Sequence, residues 1–409
     1  MKPNYSYVKF GDFVEIQPTV KIDKETNYSF IPMEDVTPGL KYVYPTDEKK
    51  YEGSGVKFEN DDVIFARITP CLEHGKITIA RGLTKNKGFG STEYYIFRAK
   101  PGISDKDYIY YLAISPIIRD NAIVSMIGAS GRQRAQKDVI ENLTIRVPSL
   151  LLQKKISLIL SAYDDLIDTN RRRIQLLEES ARLLFREWFV YFRFPSFAKA
   201  SEDKPKHEKV KIVDGVPEGW ERGEVKGLGN IITGKTPSKS NFRYFNGDVP
   251  FIKTPDMRKS SIVINTEEFL SEVGGNSQRN KYLPPWSILI SCIGSVGVVA
   301  MNFFRSQTNQ QINSIIPKKE IYRYYSFFCL SRLQPLLEAI GGGSTMANVN
   351  KNKFENLKVL IPSENILNEF HKAVDSIFKQ IAIVLQQNQK LAQARDLLLP
   401  RLINGDIKV

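Results

Sequence analysis

ENLTIRVPS, residues 141–149, returns at residues 355–363 as ENLKVLIPS. Both stretches open on Glu-Asn-Leu, close on Pro-Ser and hold a strand-like run between, and 214 residues separate them. The same offset carries Tyr108, Tyr110 and Tyr111 onto Tyr322, Tyr324 and Tyr325. It also lays ARLLFREWF (181–189) along ARDLLLPRLI (394–403), with Leu183 and Leu184 landing on Leu397 and Leu398. Nearer the front of each copy the offset drifts, as loop insertions make it: SFIPMEDV (29–36) matches PFIKTPDM (250–257). A repeat on this scale means one structural unit written twice. Each unit is a globular region followed by a long helix.

The repeat sets the expected segments: a globular region over 1–149, a long helix over 150–194, a linker over 195–217, a second globular region over 218–362 and a second long helix over 363–409. The linker contains AKASEDKPKHEK (198–209), charged and poor in apolar residues. Short β-branched and aromatic runs such as DVIFARI, EYYIF, WSILIS and KVLI alternate with Gly, Pro and Asn, which predicts strands. Helical patterning covers Tyr108–Arg119 and Tyr322–Glu338. The expected class is α+β, with two similar α/β heads and two long helices.

The helices carry a seam of alternating four- and three-residue steps. In the first it is Ile156, Leu160, Tyr163, Ile167, Asn170, Ile174, Leu177, Ala181, Leu184 and Trp188. In the second it is Phe370, Val374, Ile377, Ile381, Val384, Asn388, Leu391, Arg395, Leu398 and Leu402. Parallel pairing sets Asn170 against Val384 and leaves two buried amides without partners, about 1–3 kcal/mol each. Antiparallel pairing with residue numbers summing to 558 sets Asn170 against Asn388, Ile156 against Leu402, Trp188 against Phe370 and Tyr163 against Arg395. An antiparallel, pseudo-two-fold coiled coil is the expectation. Such a rod is about 48 Å long and spans roughly fourteen base pairs of duplex.

The chain has 409 residues, and 58 basic against 45 acidic residues leave a net charge of +13, which favours a polyanionic partner. Three cysteines with no C-x-x-C suit a reducing cytoplasm. Cys71 and His74 make half a zinc pair with no second half, so no metal is expected. The front of the chain has no apolar signal core, and SILISCIGSVGVVAMNFF is broken by serines and by Gly294 and Gly297. The expected protein is cytoplasmic and makes no contact with membrane.

Two motifs tempt toward enzymes. GNIITGKT, Gly229–Thr236, fits the phosphate-loop pattern, but polar residues precede it and no helical period follows. In the repeat it occupies the slot of GDFVEIQP, Gly11–Pro18, which lacks the second glycine and the lysine. LPPW, 283–286, imitates the catalytic corner of amino-methyltransferases, yet Leu283 cannot accept a hydrogen bond from a target amine. The repeat sets it against ENDD before a matching strand, which makes the slot structural. No catalytic residue and no bound cofactor are expected.

Two globular regions alternating with two long helices, one ending FREWFVYFRFP and the other LLLPRLINGDI, with IENLTIRVPS and FENLKVLIPS before them, resemble the specificity subunit of type I restriction–modification systems. The resemblance implies a non-catalytic subunit whose two target-recognition domains each read half of a bipartite double-stranded DNA site. It implies helices that set the gap and dock two modification subunits. Those partners bring S-adenosylmethionine chemistry at adenine N6, and restriction subunits bring ATP and Mg. Direct readout calls for Arg, Lys, Asn, Gln, Ser or Thr on loops able to enter a groove. The best candidates are twin loops before each head's last strand: Arg132, Gln133, Arg134 and Lys137 in one, Ser344, Thr345, Asn348, Asn350 and Lys351 in the other. Further candidates are Lys85, Lys87, Lys235, Thr236, Lys239, Asn241, Arg243, Asn309, Gln310 and Gln311. The rival readings are a coiled-coil scaffold that binds no DNA, for which salt-sensitive duplex binding is the discriminator, and a standalone enzyme.

Overall fold

The structure, a computed structural model, describes residues 5–194, 211–213, 215–341 and 348–409. Most of the expected linker lies outside the described residues. Two compact units result: unit 1 runs to Arg171 and resumes over Gln387–Val409, and unit 2 is Arg172–Gln386. The five consecutive segments read from the sequence are thus gathered differently. Each unit takes one head together with half of each long helix, because the helices bury their seams against the heads and against each other.

The heart of unit 1 is a five-stranded sheet in the order Val14–Ile16, Tyr94–Ala99, Val63–Ala66, Ile77–Ala80, Tyr42–Val43. Unit 2 repeats that order with Gly229–Thr233, Ile312–Pro317, Ile288–Ser291, Val299–Asn302 and Ile262–Val263. In both, the last pairing is parallel and the others antiparallel. The central strands VIFA and ILIS are buried at every position, because both faces are covered. In unit 1, Val63 and Phe65 face the helices Lys106–Ile114 and Pro116–Val124, while Ile64 faces a cluster with Ile31 and Phe58. A sheet covered on both faces reads as a continuous apolar run, not an alternating one.

That second face is covered by a side sheet. In unit 1 its order is Asp47–Lys50, Asn27–Ile31, Lys87–Gly90, Val56–Glu59; in unit 2 it is Glu268–Leu270, Phe245–Ile252, Gln307–Thr308. Phe30 and Ile31 pair in parallel with Phe89 and Gly90, as Phe251 and Ile252 do with Gln307 and Thr308. The drifted match of SFIPMEDV to PFIKTPDM therefore marks equivalent strands. Each head closes with an antiparallel pair, Tyr5–Lys9 with Thr144–Pro148 and Glu221–Glu224 with Lys358–Ile361. Those closing strands hold the two copies of the opening motif.

Three details differ from the sequence reading. Each helical pattern is two helices: Pro116 starts the second in unit 1 and forces Ser115 into an extended backbone, while Arg323–Arg332 gives way to Gln334–Gly341 in unit 2. The partner of Gly229 in the repeat is Val14, not Gly11, since Val14 pairs with Ala99 where Gly229 pairs with Pro317. Gly11 sits instead in the helical turn Phe10–Phe13, three residues earlier.

The slot of LPPW is structural, and the two turns share a backbone. Trp286 and Asp61 have φ of 65° and 71°, and their N–H groups donate to Asn302 O (2.7 Å) and Ala80 O (2.9 Å). Leu283 is fully buried.

The long helices are Leu150–Phe189 and Glu364–Ile403, and within each unit they run antiparallel. In unit 1, Asn170 Nδ2 donates to Asn388 Oδ1 at 2.8 Å, and Ile156 and Leu160 share a cluster with Leu399, Leu402 and Ile403. In unit 2, Trp188 lies 5.7 Å from Phe370 between ring centroids, and Ile174, Val374, Ile381 and Val384 are buried in the same cluster. Ile167 is buried, whereas Leu177, Leu184, Ile377, Leu391 and Leu398 are half-buried. Their neighbours Phe185, Phe378 and Leu399 are buried more deeply. A head packed on the flank of the pair widens the apolar stripe beyond a strict two-position seam.

Arg395 does not meet Tyr163. Its guanidinium is bound to the buried carboxylate of Asp164, one position along, while Tyr163 stays half-buried. A buried guanidinium needs an opposite charge more than an aromatic face.

Candidate nucleic-acid interface

At one end of each five-stranded sheet three segments meet through an equivalent backbone ladder. In unit 1, Arg67 N donates to Glu93 O at 3.0 Å and Ala135 N to Arg67 O at 2.8 Å. In unit 2, Cys292 N donates to Gln311 O at 2.7 Å and Val349 N to Cys292 O at 2.8 Å. Ile68 bridges Arg134 as Ile293 bridges Asn348. The two loops proposed from sequence thus hang on the same scaffold, and the side chains on it differ.

In unit 1 the scaffold carries charge. Arg134 makes two-pronged contact with Glu93, its Nη2 donating to Oε1 at 2.6 Å and its Nε to Oε2 at 2.9 Å, and Arg67 Nε reaches the same carboxylate at 3.2 Å. Arg134 is therefore engaged in holding the loop, whereas Arg132 is exposed and Gln133 half-buried. Lys137 forms a long ion pair with Glu141 at 3.9 Å, matched by Lys351 with Glu355 at 3.9 Å.

In unit 2 the scaffold is amide-rich, with Lys235 at its edge. Thr236 Oγ1 donates to Gln310 Oε1 at 2.6 Å, and Asn309 Nδ2 to Gln311 Oε1 at 3.1 Å. Lys235 is exposed, with its N–H donating to Thr308 O at 2.9 Å and its carbonyl accepting from the buried Gln278 at 2.7 Å. So Lys235, Thr236, Asn309, Gln310, Gln311 and Asn348 are gathered at one sheet end. Asn350 instead caps the helix Lys351–Glu355, accepting from Lys353 N at 2.9 Å. Ser344 and Thr345 lie outside the described residues.

The remaining candidates sit on the side sheets. Lys85 is in the turn Thr84–Asn86 and Lys87 begins the strand Lys87–Gly90, its Nζ donating to Lys21 O at 2.8 Å. Asn241 accepts from Arg243 N at 3.2 Å, capping the turn Phe242–Tyr244. Lys239 lines a cavity of about 550 Å³ with Phe242, Phe245 and Phe269. Sequence reasoning missed Arg67, Glu93 and Gln278, which anchor the loops, and the exposed Phe242.

The glycines of GNIITGKT now have their reason. A Cβ on Gly229 would lie 2.1 Å from Ile316 O, and one on Gly234 2.1 Å from Asn309 O. Both allow close passage of strands, and Lys235-Thr236 leads into a loop, not a helix. A phosphate loop needs a helix N-terminus at that place. Among the described residues no group of three or more His, Cys, Asp or Glu side chains could hold a metal ion, and no helix is long and apolar enough to cross a membrane.

A family model for the type I restriction modification DNA specificity domain matches residues 3–179 and again 217–393. The chain belongs to that family. The HindI specificity subunit of Haemophilus influenzae is 35% identical to it over 373 residues, 78% of this chain and 81% of that one. The MjaIX specificity subunit of Methanocaldococcus jannaschii is 28% identical over 352 residues, 82% and 76% of the two chains. The crystal structure of the type I S subunit from M. genitalium shares the fold, with a TM-score of 0.55 over 98% of this chain and 96% of that one at 14% identity. DNA sequence recognition within a restriction–modification system is the business of this family, and the twin loop scaffolds belong to a specificity subunit.

The charged scaffold of this specificity subunit gives a pH test. Hydrogen bonds from Arg134, then the charge of Arg67, hold the Glu93 carboxyl below the usual glutamate range. A value lower in the folded than in the unfolded chain, where it is about 4.3, adds stability above that pH and loses it as pH falls through the folded value. Glu93→Gln is therefore expected to flatten the fall of the urea midpoint between about pH 5 and pH 3. A midpoint that falls as steeply in the variant as in the parent contradicts it.

Proposed function

We propose that this chain is the non-catalytic DNA-reading subunit of a type I complex, in which each head reads one half of a bipartite target. The observation that carries this reading is the pair of equivalent loop scaffolds bearing unlike side chains, arginines on one and amides on the other. Equal scaffolds present the two loops alike, and unlike side chains suit two different half-sites. The net charge of +13 fits a duplex partner. S-adenosylmethionine, ATP and Mg belong, in this proposal, to the modification and restriction subunits.

The long helices set the gap between half-sites and dock two modification subunits. Supporting this is an exposed apolar stripe that runs beside the seam. Leu151, Leu158 and Leu166 in unit 1 and Leu176 and Leu183 in unit 2 are exposed, Leu158 by 74%. At 3.6 residues per turn all five fall within an arc of about 100° on the first helix. An aligned row of exposed leucines is costly in water and marks a docking face. Leu158→Glu with Leu176→Glu is expected to cut co-purification with the modification subunit at least tenfold, while the unfolding midpoint stays near the parent's. Undiminished co-purification removes the stripe from the interface.

The test of the whole reading is co-expression with the modification subunit and mapping of N6-methyladenine across host DNA. A gapped two-part motif supports it; unmethylated DNA from an assembled complex, or one contiguous motif, overturns it.

A further inference from the structure

The long helices share two polar contacts in their seam, a part-buried amide pair and a buried ion pair, and both lie in unit 1. One is the amide pair Asn170–Asn388 at 2.8 Å. The other is the ion pair Asp164–Arg395, whose side chains are 2% and 4% exposed. Asp164 also accepts from the Tyr111 hydroxyl at 2.6 Å, and Arg395 donates to Gly39 O at 3.0 Å.

The internal repeat breaks at these four positions. The 214-residue offset carries Asn170 to Val384 and Asp164 to Phe378, and in reverse carries Asn388 to Ile174 and Arg395 to Ala181. All four counterparts are buried in the apolar cluster of unit 2. Two helices that are otherwise copies of one another therefore differ where polarity is buried.

The difference matters for the choice of partner. Because the helices are alike, the first could also pair antiparallel with the first helix of a second copy, residue numbers then summing to about 344. Asn170 would face Ile174 and Asp164 would face Ala181, each twice. Two second helices would set Asn388 against Val384 and Arg395 against Phe378. Every like-with-like pairing thus strands two amides and two charges. One uncompensated buried charge alone lowers a pairing constant by more than about a hundredfold.

We infer that Asp164, Asn170, Asn388 and Arg395 form a partner-selection code by which the first long helix accepts the second and rejects a further copy of itself. The hazard it meets arises during synthesis. When Phe194 has been added, 209 residues must still be made before the second long helix is finished at Ile403, which takes on the order of 10–40 s. Throughout that time the first helix has no second helix to pair with, and neighbouring nascent chains expose the same seam. A polar code resolves the choice at a local cost in stability, as a lone buried asparagine does in coiled coils.

The test needs no DNA and is independent of the proposed function. Ile167→Cys with Leu177→Cys, in a Cys71→Ser chain, places thiols that meet only between two like-paired first helices. Within one chain they are about 15 Å apart along a single helix, beyond disulfide reach. Cys292 is buried, and burial pushes its thiol up to about 11, while the half-buried Cys329 is changed to Ser together with Cys71. This full-length parent, overproduced and then oxidised, is expected to give almost no disulfide-linked dimer. Adding Asn170→Val and Asn388→Ile, the repeat's own residues, is expected to raise the dimer several-fold. Adding Asp164→Phe and Arg395→Ala as well raises it at least tenfold. The asparagine variant exchanges amides for apolar packing and keeps the fold. A dimer fraction in it no higher than the parent's, or a parent already mostly dimeric, overturns the inference.

Discussion

Arg395→Ala is expected to destabilise unit 1 by about 3–5 kcal/mol, more than Asp164→Leu and Arg395→Met together. The reason is the surroundings of the pair. Removing the guanidinium leaves the Asp164 carboxylate enclosed with only the Tyr111 hydroxyl as donor. Nearby, Lys41 is itself 1% exposed and already committed, its Nζ lying 2.6 Å from Asp107 and donating to Ser161 at 2.5 Å. Replacing both members by apolar residues removes two desolvated charges at once, and such exchanges are often neutral. Urea unfolding of the two single variants and the double variant measures this. A double variant that loses as much as the sum of the singles shows that the ions do not interact, and the account of the helix pair then fails.

Lengthening both long helices by one heptad, after Arg171 and after Gln386, is expected to widen the gap in the methylated motif. Those sites lie at the boundary of the two units, and under antiparallel pairing Arg171 stands opposite Gln387, so the insertions extend both strands of the pair together. Seven residues add about 10.5 Å, or roughly three base pairs. The half-sites should stay the same, and methylation of the original motif should fall more than about a hundredfold. Three base pairs also turn the groove by roughly 100°, so the variant should methylate its new target more slowly; the gap is the readout. An unchanged gap refutes the proposal that the helices act as a spacer.

Much of the architecture was legible because the chain spells it twice. Two copies of one motif fixed the period, and two asparagines out of place in an apolar seam fixed the direction of the helices. Setting Tyr163 against Arg395 missed the residue actually used, Asp164, by one position, because a heptad count weighs apolarity and not charge. The anchors of the loops were hidden for another reason. Glu93 and Arg134 are 41 residues apart, and nothing local in either stretch marks the other. The alignment of Gly229 with Gly11 failed for a related reason: a glycine in a string announces permissive backbone but not which strand passes beside it. Side-chain roles within the loops follow from that neighbourhood, which only the fold supplies.

Strand Tyr5–Lys9 sits beside the last turn of the chain. Arg146 stacks over the Tyr5 ring at 3.8 Å and donates to Asn404 O at 3.0 Å, and a Cβ on Gly405 would come within 2.4 Å of the Tyr5 hydroxyl. The second long helix is therefore fastened, at the end far from its own head, by the opening and closing strands of the other head.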